Sequence, residues 1–334
     1  MMAFTKLLLV LAVLSFGKPT LLRKKAGATF AKDSIYYYGE TVDKNGVLTF
    51  DVKDVTSAEN WEPKFLSKKI TDYKLLDSAS SETLEKYYGI AADKAALEKL
   101  LTSVALTADE IACDNVAGEY EFGFYGLFGY SVYAVEKVDL APSLTHLIKN
   151  GPTKVTYTNV GEGLNTTFAD ETVAQTCGGD AEYAFIFGVT RNGIVDKKCV
   201  PNTGIPAEAA KCTTDEKYKA YLKGYRLGQF EGDANTLKSL LVRFGPVHVG
   251  ANVFIGWEQE ADKKDVWILA APEYTGEGLD RTPTYTYGWM PVPAEEYLGA
   301  ETTYYGFEVF NGVSVIRAAL GLLAAVLVLP ALLL

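Results

Sequence analysis

The chain has 334 residues, of which 48% are hydrophobic and 22% charged, and its formal net charge is −10. This composition is typical of a globular protein long enough for two domains. Its acidic surface would repel phosphate backbones, which argues against nucleic acid as a partner.

The N-terminus has the pattern of a secretory signal peptide. Lys6 precedes the apolar run Leu7–Leu14, and the small residues Ser15 and Gly17 follow it. The apolar run is too short to span a bilayer. We therefore predict a signal peptide over residues 1–17, followed by a basic segment.

The first half of the chain predicts strands and then helices. Residues 34–52 contain β-branched and aromatic runs around the sequence DKNG, which indicates a hairpin. Residues 80–105 have apolar residues at helical spacing. Residues 120–138 begin with glycine and aromatic residues and then continue as an amphipathic helix.

The second half predicts more helix, followed by strands. Helical spacing returns over residues 171–189 and is strongest over residues 233–245, where Asp233 or Asn235 can cap the helix and Gly245 can end it. The stretch PVHVGANVFIGW reads as a buried strand, and short strands dominate after Asp265. Helices followed by strands indicate an α+β fold.

The C-terminal residues 313–334 are apolar apart from Arg317. The small residues Asn311, Gly312 and Ser314 at its start are typical of the attachment site of a glycolipid anchor. A single C-terminal transmembrane helix is the alternative. Both predict an exported protein held at a membrane, at the cell surface or in the endolysosomal system.

An exported chain with an even number of cysteines predicts disulfides. The four are Cys113, Cys177, Cys199 and Cys212, and their spacing alone leaves the pairing open. No CxxC motif or histidine cluster indicates a metal or another cofactor. The sequon at Asn165 lies in a loop-like stretch, so we expect it to be glycosylated.

Residues 171–249 resemble the papain-like cysteine peptidases in the order of their motifs. The similar stretches are ADETVAQTC at 169–177, GGDAEYAF at 178–185, NGIVDKKCVPNTG at 192–204, and the capped helix followed by GPVHV. The resemblance implies a helical subdomain, a β-barrel-like subdomain and a cleft between them. It places residues 106–312 in the peptidase domain and residues 18–105 in the position of a propeptide.

The same resemblance implies that Cys177 pairs with Cys212, which leaves Cys113 to pair with Cys199. It places Gly126 at the position of the nucleophilic cysteine, Tyr120 at that of the oxyanion glutamine and Thr282 at that of the catalytic histidine. The segment that orients the family's histidine has no counterpart in this chain. A peptidase of this kind needs a thiolate, an imidazole and oxyanion donors, and these positions provide none of them.

The remaining candidates for chemistry are weak. We expect His248 to be a structural histidine in a strand and His146 to lie on the surface. A cluster of aromatic residues could line a cleft, although packing in the core or on a strand face is the favoured interpretation; its members are Tyr285, Tyr287, Trp289, Tyr304 and Tyr305. These patterns favour a catalytically inactive pseudopeptidase that binds a peptide or protein ligand, with its oligomeric state left open. The alternatives are a divergent active peptidase that uses one of its four cysteines, and a structural protein of a surface coat.

Overall fold

The computed structural model describes residues 30–56, 61, 63–276, 281–297 and 303–312. The predicted signal peptide, the C-terminal apolar segment and Ser314 lie outside these residues. Within the described part of the chain, no helix is both long enough and apolar enough to cross a bilayer.

The described strands form two sheets. They are β1 Ser34–Tyr38, β2 Val47–Asp51, β3 Phe65–Lys69, β4 Lys86–Tyr88, β5 Lys154–Thr158, β6 Glu171–Thr172, β7 Tyr225–Gly232, β8 Val247–Val249, β9 Asn252–Gln259, β10 Asp265–Thr275, β11 Thr282–Pro293 and β12 Tyr304–Asn311. Nine of them form a large antiparallel sheet in the order β11-β10-β9-β8-β12-β7-β1-β3, with β4 paired to β9. In the second sheet β2 pairs with β5 in parallel and β5 pairs with β6 in antiparallel orientation.

The helices are mostly short. They are α1 Lys94–Lys99, α2 Ala108–Ile111, α3 Asp114–Glu121, α4 Phe124–Glu136, α5 Leu144–Asn150, α6 Glu182–Asn192, α7 Ala234–Phe244 and α8 Ala294–Tyr297. Together with the sheets they confirm the predicted α+β class. The large sheet is open, since no pairing among the described strands joins β11 to β3, so the expected β-barrel-like subdomain is not a closed barrel.

Two apolar cores lie on opposite faces of the large sheet. Alternate residues of β12 show the division: Phe307 and Val309 pack in the core that contains α4, and Phe310 packs in the core that contains α7. Nearly all of α4 is buried, including every residue from Phe124 to Val132. The helix expected to be amphipathic is therefore a central, enclosed helix.

The prediction of α7 is confirmed in detail. The Asp233 side chain accepts hydrogen bonds from the backbone of Asn235 and Thr236, which satisfies amides that a helix start leaves free. Its buried stripe contains Leu237, Leu240, Leu241 and Phe244. Gly245 follows with φ +95°, a conformation that favours glycine and ends the helix.

Other local predictions are wrong in ways that long-range pairing explains. Residues 34–52 do not form a hairpin, because β1 pairs with β3 and β7 whereas β2 pairs with β5. Residues 80–105 hold β4 and α1 rather than one helix, since Tyr87 pairs with Trp257 of β9. The predicted helix over 171–189 begins only at Glu182.

The segment in the propeptide position contributes β1, β2, β3 and β4 to the two sheets. β1, β2 and β4 pair with strands of residues 106–312, whereas β3 pairs with β1. The boundary at residue 105 and any removal of this segment stay predictions.

The expected disulfide pairing is wrong. The bridges are Cys113–Cys177 and Cys199–Cys212, with Cα–Cα distances of 4.7 and 4.6 Å. The first forms because the start of α3 docks on the segment before the double glycine, where the Asn115 amide donates to the Cys177 carbonyl oxygen. The second joins cysteines that lie 13 positions apart in the chain. All four cysteines of the chain lie in the described part, and none is free.

Candidate functional site

A sharp turn between α3 and α4 leads into the helix that carries Gly126, the nucleophile position that the resemblance implies. Gly123 forms this turn with φ +85°. A Cβ atom there would lie 3.0 Å from the Ala251 carbonyl oxygen and 3.1 Å from Cδ2 of His248. Both the backbone conformation and the close approach of the β8–β9 turn therefore require glycine at this position.

Gly126, in the first turn of α4, is covered by a tyrosine from the far end of the chain. Its amide donates to the Tyr287 hydroxyl oxygen at 3.0 Å, and this hydroxyl in turn donates to the Tyr120 carbonyl oxygen at 2.8 Å. A Cβ atom on Gly126 would lie 2.9 Å from Cζ of Tyr287. The nucleophile position thus has no room for a side chain, and an amide of the helix start is already bonded.

Tyr120, at the expected oxyanion position, is fully buried. Its ring stacks on Tyr287 with the centroids 4.5 Å apart. Its hydroxyl has no hydrogen-bond partner among the described residues. Burial raises the pKa of both phenols well above 10, so both are uncharged at neutral pH.

Thr282, at the expected base position, lies away from this cluster. It is exposed at the start of β11, where it pairs with Thr275. Tyr287, which contacts Gly126, is five residues further along the strand, or about 16 Å at ~3.3 Å per residue. The structure therefore brings Gly126 and Tyr120 together through Tyr287 and leaves Thr282 outside the group.

His248 is the imidazole nearest the turn, and it is held as a structural group. Its Nε2 bonds to the Phe122 carbonyl oxygen, and its ring stacks on Phe124 with the centroids 4.3 Å apart. Burial lowers the pKa of His248 to about 4, so the ring is neutral at pH 7. Through this hydrogen bond and this ring contact, the neutral imidazole connects β8 with the α3–α4 turn, as expected for a structural histidine.

The expectation that His146 lies on the surface is wrong. It is fully buried on α5, and its Nε2 lies 3.1 Å from both the Ala209 carbonyl oxygen and the Tyr218 hydroxyl. Burial lowers its pKa to about 4 as well. The residue is inside because α5 is covered by the disulfide-closed loop that carries Ala209. Neither imidazole has a free thiol to activate.

The predicted glycosylation site and part of the predicted anchor site also lie in the described part of the chain. Asn165 is exposed in a turn, and Asn311 ends β12 beside Gly312. Among residues 30–56, 61, 63–276, 281–297 and 303–312, no group of three or more metal-ligating side chains converges.

The contact between Tyr287 and the start of α4 is the feature of this site that the sequence did not predict. Tyr287 packs in the core, and its hydroxyl also accepts a hydrogen bond from the Gly126 amide in the first turn of α4. The contact joins residues 161 positions apart in the chain. No local signal could have indicated it.

Comparisons with known proteins give little more. No protein-family model matches the chain, and no curated protein matches it. One similar solved structure is the proCathepsin B S9 from Trypanosoma congolense, with 17% sequence identity over 64% of this chain and 79% of that chain, and a TM-score of 0.32. A likeness of this size assigns neither a fold nor an activity to this chain.

Proposed function

We propose that this protein is a catalytically inactive relative of the papain-like cysteine peptidases that acts by binding a peptide or protein at a membrane. The observation that carries the proposal is the filled first turn of α4. Where the resemblance places a reactive thiolate, the chain has Gly126, and the Tyr287 ring and hydroxyl occupy the space and the hydrogen-bonding capacity there.

The state of the cysteines supports the same proposal. A thiol peptidase needs a thiolate, and low thiol pKa values occur at helix N-termini. Cys113 does precede a helix, as the N-cap of α3, but its sulfur is bonded to Cys177. A divergent active peptidase would need at least one free, accessible thiol, and all four are bridged.

The resemblance is consistent with the order of elements in the fold. The helix after the double glycine is α6, and it is followed by β7, the capped helix α7 and β8. The location at a membrane rests on the sequence pattern at the two ends of the chain, outside the described residues.

The test is the reactivity of the full-length protein purified from a eukaryotic secretory host. We expect no labelling by a thiol-directed peptidase probe, no hydrolysis of a mixed peptide library, and no free thiol when the protein is denatured without reductant. A labelled cysteine together with peptide hydrolysis would refute the proposal. Reduction in denaturant serves as the positive control, since it should expose four thiols.

The anchor is tested separately. If residues 311–314 are the attachment site, a phospholipase that cleaves glycolipid anchors should release the protein from cell membranes. Retention on the membrane after this treatment would favour the transmembrane helix instead.

A further inference from the structure

The part of the chain in the propeptide position, residues 30–105, is built into both sheets; it is called the N-terminal segment below. In the large sheet β1 lies between β3 and β7, and β4 pairs with β9. In the second sheet β2 pairs with β5. Loss of the segment would therefore leave β5, β7 and β9 with backbone groups that have no strand partner.

Side chains of the N-terminal segment also fill both apolar cores. Leu48, Phe50 and Leu97 pack in the core that contains α4. Ile35 and Tyr87 pack in the core that contains α7. All five are at most 3% exposed. Removal of side chains of this size leaves cavities that destabilise the rest of a core.

Two glycines in the later part of the chain lie where the N-terminal segment approaches most closely. A Cβ atom on Gly228 of β7 would lie 2.5 Å from Cγ2 of Ile35, its nearest neighbour. For a Cβ atom on Gly129 of α4, the nearest neighbour would be the Thr102 hydroxyl oxygen. Glycine inside a strand or helix weakens it, so its presence here fits a fold in which the segment is always in place.

Buried polar groups in the later part of the chain have their partners in the N-terminal segment. The Tyr130 hydroxyl of α4 is hydrogen-bonded to the Ser103 hydroxyl at 2.8 Å. The Trp257 indole of β9 donates to the Leu84 carbonyl oxygen at 3.0 Å. Both Tyr130 and Trp257 are fully buried. Without the segment these two side chains would lose their partners or expose their rings to water.

The N-terminal segment is held by packing and by the continuity of the chain. The two disulfides join Cys113 with Cys177 and Cys199 with Cys212, so all four cysteines lie after residue 105. A cut at residue 105 would therefore leave only noncovalent contacts between the two pieces.

We propose that the N-terminal segment is a permanent part of the functional protein and not a removable propeptide. No cleavage near residue 105 then activates or uncovers the protein, and pieces cut there stay together as a noncovalent complex. The proposal goes beyond the binding function proposed above and does not depend on it, because it concerns which residues form the mature fold.

The first test is the mass of the full-length protein after secretion from a eukaryotic host and removal of glycans. We expect an N-terminus that precedes residue 30, since only the predicted signal peptide is removed. A folded, secreted protein that begins near residue 106 would overturn the proposal.

The second test cuts the folded chain. A protease recognition sequence is inserted between Val104 and Ala105, which are both exposed, and cleavage is verified on a denaturing gel. We expect the two pieces to elute together in size-exclusion chromatography without denaturant, and to separate in concentrated urea without reductant. Release of the N-terminal piece without denaturant, with the rest of the chain still folded by circular dichroism, would overturn the proposal.

Two variants of the cut protein test whether buried side chains hold the pieces together. Ile35→Ala in β1 truncates a fully buried side chain, whereas Leu66→Ala in β3 truncates one of the same size that is 43% exposed. Ile35→Ala should lower the urea concentration at which the pieces separate by about 1 M, and Leu66→Ala should lower it much less. Equal shifts would contradict the proposal. If Ile35→Ala is not secreted, the first two tests decide, because both leave the core unaltered.

Discussion

Replacement of Tyr287 by phenylalanine tests the filled turn directly. The substitution keeps the ring that covers Gly126 and removes only the hydroxyl, which bonds the Gly126 amide and the Tyr120 carbonyl. Its effect therefore measures the hydrogen bonds rather than the packing.

The expected loss of stability depends on which hydrogen-bond partner of the Tyr287 hydroxyl is left unsatisfied. The Tyr120 carbonyl oxygen retains a hydrogen bond from the Gly123 amide, so it is not left unsatisfied. The buried Gly126 amide loses its partner in the described structure. An unsatisfied buried donor costs roughly 1–3 kcal/mol, so we expect Tyr287→Phe to lower the free energy of unfolding by about that amount.

The chain supplies a matched control in the same cluster. Tyr125 is also fully buried, and its hydroxyl has no partner among the described residues. Removing that hydroxyl relieves an unsatisfied polar group, so Tyr125→Phe should be neutral or stabilising. Each of the two variants differs from the parent only by the loss of one buried tyrosine hydroxyl.

The assay is urea unfolding at pH 7 with the disulfides intact. The m-values of the variants are compared with that of the parent, to verify that the surface exposed on unfolding is unchanged. Amide hydrogen exchange at Gly126 should also accelerate in Tyr287→Phe. A free energy of unfolding for Tyr287→Phe within about 0.5 kcal/mol of the parent, the range of ordinary surface substitutions, would contradict a stabilising role of the Tyr287 hydroxyl. Equal losses of stability in Tyr287→Phe and Tyr125→Phe would contradict it as well.

Three further changes have expected outcomes in the same unfolding assay. Gly126→Ala should destabilise the protein by about 1–3 kcal/mol, because the new Cβ clashes with Tyr287. Gly118→Ala in α3 is the control and should stabilise the protein by up to about 1 kcal/mol, because a Cβ there meets nothing within 4 Å. A loss of stability in Gly118→Ala as large as that in Gly126→Ala would contradict this expectation. Burial lowers the pKa of His146 and of His248 to about 4 each. The stability that each neutral histidine contributes is therefore fully present above pH ~6.5, and it falls by up to about 3 kcal/mol per histidine as the pH drops towards 4. A free energy of unfolding that stays constant between pH 7 and 4 in urea titrations would contradict this expectation. Glu308 is fully buried with neither oxygen bonded in the described structure, and burial raises its pKa well above the ordinary value, so stability is lost as the pH rises above ~4.5. Glu308→Leu should therefore stabilise the protein more at pH 8 than at pH 4.5, and a gain independent of pH would argue against this assignment.

The elements that the sequence predicted correctly are those with local causes. α7 has its cap, its buried stripe and its terminating glycine within 13 consecutive residues, 233–245. The strands after Asp265 likewise follow from short runs of β-branched and aromatic residues. These signals need no knowledge of the rest of the chain.

The predictions that failed depend on contacts between distant segments. The run at 80–105 has helical spacing, but pairing of Tyr87 with Trp257 places part of it in the large sheet. Disulfide partners depend on which segments dock together, and Cys113 meets Cys177 because α3 packs against residues 64 positions away. Sequence separation and cysteine number do not contain this information.

The candidate site also depends on a contact between distant segments that the sequence does not reveal. The sequence alone predicts that Gly126 lacks a reactive side chain. It does not predict that Tyr287 fills the space, because that contact depends on how β11 is placed against α4. A cysteine at position 126 would therefore not provide a reactive thiol by itself, since its Cβ would clash with the Tyr287 ring. Thiol chemistry at this position would need a change in β11 as well, together with an imidazole within reach of the new thiol.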